Sequence, residues 1–161
     1  MDAITITLVE VIPRKKHKYW YAFEPSDRFV KPWWGRECEP DASEHWLSVQ
    51  RNGVEVARCK FALHPGPQSN PVLGEMPHGH LDIRTLEVAL PERGRGIGRD
   101  TLQAIRRTYP LPRLTALNDD DHSRGFWDHI GWTRHELPGP FAGAGRVTYS
   151  EIGNIASASD V

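Results

Sequence analysis

The clearest alternation of apolar and polar residues is HWLSVQRNGVEVARCKF, His45 to Phe61, where two period-two runs flank Asn52-Gly53. Strand side chains point in turn to opposite faces, so this pattern predicts two half-buried strands. Asn-Gly tolerates the positive φ angles of a two-residue turn, and the whole reads as a β-hairpin. Upstream, Ala3 to Val11 sets Ile4, Ile6 and Leu8 against Thr5, Thr7 and Val9, which is again strand periodicity. Leu81 to Leu90 predicts a long strand and RLTALN a short buried one. Trp132 to Leu137 and Arg146 to Ile152 supply two more. Helical spacing occurs twice. Leu102, Ile105 and Tyr109 share a face before Pro110 ends the helix; Phe126 and Ile130 share another before Gly131, which suits the left-handed position after a last turn.

Two stretches break the pattern. Pro13 to Glu44 is rich in proline and aromatic residues, Trp20, Trp33 and Trp34 among them, and has no period that bounds an element. His64 to His80 is dense in proline and glycine and reads as a loop, long enough to suggest a functional role. The order of elements predicts an α/β (α+β) fold, with a mixed sheet of about 6–7 strands flanked by helices. Residues 1–152 are expected to form a single domain and 153–161 a frayed tail.

Composition narrows the function classes. The chain has 161 residues, 39% hydrophobic and 25% charged, with a net charge of -1, so it carries no bulk attraction to nucleic acid or membrane. No apolar run approaches the roughly 20 residues of a membrane-spanning helix, and the first basic cluster follows the first apolar segment, the reverse of a signal peptide. A cytoplasmic location is the expectation. Cys38 and Cys59 are far apart and lack CxxC spacing, which argues against a disulfide framework or a zinc site. The histidines His64, His78 and His80 and the run Asp119 to His122 also lack the spacing of zinc or calcium ligands, so no metal is expected.

The candidate chemistry lies in LEVALPERGRGIGRDTLQAI, Leu86 to Ile105, where a strand runs into three alternating glycines and then a helix. Unpaired amides and the positive end of the helix dipole make such a turn a phosphate site, and Arg93, Arg95 and Arg99 add charge. The glycines at 94, 96 and 98 fit neither a GxGxxG fingerprint nor a P-loop. As [Q/R]xxGx[G/A], Arg93-Gly94-Arg95-Gly96-Ile97-Gly98 resembles the pyrophosphate loop of the GNAT superfamily of N-acetyltransferases. SRGFWDHIGW, Ser123 to Trp132, is similar to that family's later motif, in which a strand ending in Asn, here Asn118, leads to a helix with paired aromatics.

The resemblance implies a mostly antiparallel sheet whose fourth and fifth strands splay apart, and acetyl-CoA or another short acyl-CoA as cofactor. It places the diphosphate on the amides of Arg95, Gly96, Ile97 and Gly98, next to Arg93, Gly94 and Arg99. The pantetheine arm would run along the backbone of Leu86 and Val88, and Asn118, Ser123 and Trp127 become further cofactor positions. The implied reaction is direct acetyl transfer to a primary amine of a small molecule or protein. Asp82 is the expected base, with Glu87, of opposite strand parity, as the alternative. Trp127 stands where the family commonly has an acidic Tyr, and an indole N–H is no useful acid; water, His122 or Tyr149 is left to protonate the thiolate. Trp20, Trp33 and Trp34 fall in the family's acceptor-binding region, where aromatic faces attract an ammonium group. The competing expectation is a non-catalytic acyl-CoA-binding or protein-interaction module. Neither nucleic acid nor membrane is expected as a partner, and the resemblance leaves a homodimer open.

Overall fold

The computed structural model describes residues 5–118, 121–135 and 147–151, with the side chains of residues 118, 121–124 and 147 excepted. Eleven strands and two α-helices follow one another along these residues. In chain order they are β1 (Ile6–Val11), β2 (Arg14–Lys16), β3 (Tyr19–Tyr21), a 3-10 turn at Pro32–Trp34, β4 (Glu44–Arg51), β5 (Val54–His64), β6 (Gln68–Asn70), β7 (Gly74–Met76) and β8 (His80–Val88). After a second 3-10 turn at Leu90–Glu92 come α1 (Ile97–Thr108), β9 (Arg113–Asn118), α2 (Asp121–His129), β10 (Thr133–His135) and β11 (Val147–Ser150).

Seven strands form the central sheet in the order β1-β4-β5-β8-β9-β11-β10. Ladders β1–β4, β4–β5, β9–β11 and β10–β11 are antiparallel, and β8–β9 is parallel. The chain divides into two compact units, Met1–Ala62 with Arg84–Pro110, and Leu63–Ile83 with Leu111–Val161.

In the first unit the β4–β5 hairpin turns at Asn52 and Gly53, with φ of 53° and 76°, as the Asn-Gly pair predicts. One face of its strands buries Val49, Val56 and Ala57 with Ile97 of α1, and Ile6, Leu8 and Val88 pack around them. The other face carries Trp46 in a cluster with Phe23, Phe29, Trp34 and Ala89. The segment that the sequence left without elements thus covers the second face, built from the β2–β3 hairpin and a single 3-10 turn, with no α-helix among its residues. Proline and clustered aromatics give it burial without period. Cys59 of β5 is fully buried, and burial alone pushes its thiol up to about 12, an inert group.

In the second unit β9, β11 and β10 form an antiparallel array, and β8 adds to it over His80–Ile83. The stretch His64 to His80 is not a plain loop, because β6 and β7 pair within it as a small hairpin. The helix α2 ends at His129, and Gly131, two residues on, has a φ of 84°, the left-handed conformation expected after a last turn. The expected tail, 153–161, lies outside the described residues.

Candidate functional site

The glycine turn and residues 84–88 of β8, which feed it, both lie in the first unit. Ala89 N donates to Val56 O, so at Ala89 the main chain faces β5. Successive residues of a strand present their amides to opposite edges, which turns Leu86 and Val88 to the edge away from β5. On that edge the ladder with β9 ends at Ile83↔Ala116.

Beyond β8, the 3-10 turn at Leu90–Glu92 reverses the chain into Arg93 and the glycines. Gly96 is the N-cap of α1, with φ 76° in the left-handed region where an L side chain is strained, and no side chain caps the helix. The first intrahelical bond runs from Asp100 N to Gly96 O at 3.0 Å. The amides of Ile97, Gly98 and Arg99 are therefore the helix's orphan donors, and the positive end of its dipole adds to them. A Cβ placed on Gly94 or Gly96 would meet no atom within 4 Å, so the turn opens onto clear space. Uncapped amides, a helix N-terminus and the arginines Arg95 and Arg99 at the surface give this turn the right chemistry for a diphosphate, with Ile97 and Gly98 themselves buried.

Glu87 lies on the opposite face of the strand from Leu86 and Val88, as its parity requires, and is 3% exposed. Its carboxylate accepts from Val30 N at 2.8 Å, from Lys31 N at 3.2 Å and from Trp34 Nε1 at 2.7 Å. Arg93 completes the cluster. Its guanidinium reaches Glu87 Oε2 at 3.4 Å and its Nε donates to Val88 O at 3.2 Å.

No family model and no curated protein matches the chain. Solved structures do. An acetyltransferase from Thermus thermophilus superposes with a TM-score of 0.51 at 17% identity, over 69% of this chain and 65% of that one. A putative acetyltransferase of the GNAT family from Desulfovibrio desulfuricans gives 0.50 at 19% identity over 68% of each chain. The fold is that of the GNAT acetyltransferases. A third structure, of a KacTA–DNA complex, reaches 0.56 at 9% identity over 98% of this chain and 100% of that one.

The strand β8 also carries Asp82. That carboxylate is half-buried, and its Oδ1 accepts from Thr115 Oγ1 of β9 at 2.9 Å. Of the second motif, Trp127 is 5% exposed and lies in an aromatic stack, with ring centroids 4.6 Å from Trp132, 4.8 Å from Phe126 and 6.4 Å from Tyr149. Tyr149 has no exposure, and its hydroxyl donates to Asp128 Oδ1 at 3.0 Å. The side chains of Asn118, His122 and Ser123 lie outside the described residues.

Among the three acceptor candidates, Trp34 is buried and its indole N–H is spent on Glu87, while Trp20 and Trp33 are partly exposed. The faces of this segment already hold the protein's own cations: Lys31 lies 5.4 Å from the Trp33 centroid and Arg36 4.5 Å from that of Tyr19. Glu37 of the same segment is paired with Lys60 at 2.9 Å. Sequence reasoning did not find Arg58, which is 4% exposed. Its guanidinium packs on Phe23 and Phe29 and donates to Glu24 O and Glu55 Oε1. A charged residue at an inward position of β5 was the available signal. Among the described residues no group of His, Cys, Asp and Glu could hold a metal, and no helix is long and apolar enough to cross a membrane.

Proposed function

We propose that this chain is an acyl-CoA-dependent N-acyltransferase that moves an acetyl group from acetyl-CoA to a primary amine of a small molecule or protein. The observation that carries the reading is the uncapped, left-handed Gly96 turn at the head of α1, continuous with the outward-turned backbone of Leu86 and Val88. Bound acetyl-CoA would supply an activated acyl thioester. The chain's own work is to hold the diphosphate on the amides of Ile97, Gly98 and Arg99 and to align the arm along β8. Asp82 takes a proton from the incoming ammonium, directly or through water, because it is the half-exposed carboxylate of that strand while Glu87 is sealed in.

The test is release of free CoA from acetyl-CoA in the presence of an amine panel. With Asp82→Asn, kcat/KM should fall about 10²–10⁴-fold and the acidic limb of its pH profile should flatten, while CoA affinity is kept. An unaltered pH profile would remove Asp82 from the mechanism. The buried Trp127 stack, with an indole where the family's acidic Tyr stands, favours a second reading, a module that binds acyl-CoA without turning it over. Calorimetry separates the two: binding without CoA release selects the module, and absence of both binding and release rejects each.

A further inference from the structure

Glu87 is the buried group that neither the fold nor the cofactor cradle accounts for. A carboxylate on a central strand is costly to bury unless its oxygens are satisfied, and here they are satisfied by one segment of the chain. Val30 N, Lys31 N and Trp34 Nε1 converge on it from the 30–34 stretch, more than fifty residues away in sequence. That stretch has a single short 3-10 turn, so its amides have no ladder or helix to enter, and Glu87 takes the place of one. Side chains of the same stretch, Val30 at 57% exposure and Lys31 over Trp33, face outward. The fourth donor, Arg93, comes from the cofactor turn and also holds Val88 O, on the edge proposed for the pantetheine arm.

We infer that Glu87 is a positioning residue for the acyl acceptor: it fixes the Val30–Trp34 segment against β8 and links it through Arg93 to the cofactor turn. It is not the proton acceptor, because every approach to its oxygens is filled by a donor that a base would have to displace. This rests on the acyltransferase reading for its kinetic consequence and on the Trp34 bond alone for its structural one.

The experiment pairs acceptor kinetics with NMR of the full chain carrying 15N-labelled tryptophan, the Trp34 indole resonance being identified with Trp34→Phe. In Glu87→Gln the Trp34 Nε1–H resonance should move. The acceptor KM should rise about tenfold, the scale of one lost charge-assisted hydrogen bond, while kcat changes much less and the acidic limb of the pH profile persists. Trp34→Phe keeps an aromatic ring in the cluster and removes the shortest bond; it should raise the acceptor KM in the same direction, and serves if Glu87→Gln does not fold. A collapse of kcat with loss of the acidic limb and an unchanged KM would make Glu87 the base and overturn the inference. So would an unmoved Trp34 resonance, or an unchanged acceptor KM in both variants. If the wild-type chain turns over no acceptor, the acyltransferase reading fails by itself, and the Trp34 resonance in Glu87→Gln still decides whether the carboxylate anchors the segment.

Discussion

Gly96 shows how a single residue can be required for its backbone alone. Its φ of 76° costs any L residue about 1–2 kcal/mol, although a Cβ would touch nothing. Gly96→Ala should therefore lower stability by that amount in denaturant melts. It should also weaken CoA binding about tenfold by calorimetry, because the methyl group crowds the donors that the diphosphate would use. A loss of stability with unchanged CoA affinity would detach this turn from the cofactor. The glycine was legible from its place between strand and helix. Glu87 was legible only as a residue of the wrong parity for the cofactor edge, since the donors that occupy it come from a segment with no period to predict its path.

At the level of elements, the reading succeeded where one physical rule dominates. Asn52-Gly53 sets its own turn, and strict alternation defines β4 and β5. It fell short where tertiary packing decides: proline and glycine hid the β6–β7 hairpin, and aromatic burial rather than period places residues 13–44. The β9–β11–β10 array contains a group of its own with a consequence for pH. His135 Nε2 lies 2.7 Å from Ser150 Oγ and 3.5 Å from the Arg113 guanidinium, which also donates to Ser150 Oγ and to Leu73 O. Burial, and then the Arg113 charge, hold the imidazole below its ordinary value of 6.5. A lowered pKa means that the native state binds the proton less readily than the unfolded chain. The stability contributed by neutral His135 is thus complete above 6.5 and is lost as pH falls through the lower, folded value. Unfolding measured across this window should show a slope that His135→Gln reduces, and an identical slope in the variant would assign it to other groups.

For the whole chain, the cofactor reading makes a thermodynamic prediction. A ligand that binds only the folded state at about 100 times its Kd contributes about 2.7 kcal/mol. For a chain of this length that corresponds to a rise in Tm of about 5–10 °C. Saturating CoA should produce such a shift, and dephosphorylated pantetheine, which cannot use the amides of Ile97 to Arg99, should give much less. Equal shifts from both would place the main affinity elsewhere. Seen at this scale, the outward-turned peptide groups of Leu86 and Val88 have one more effect. A cofactor held by the polypeptide backbone would be indifferent to which side chain a codon specifies, so its recognition would constrain these positions less than packing does, as at Val88 against the hairpin core. A surface of this kind can keep its shape while its spelling changes.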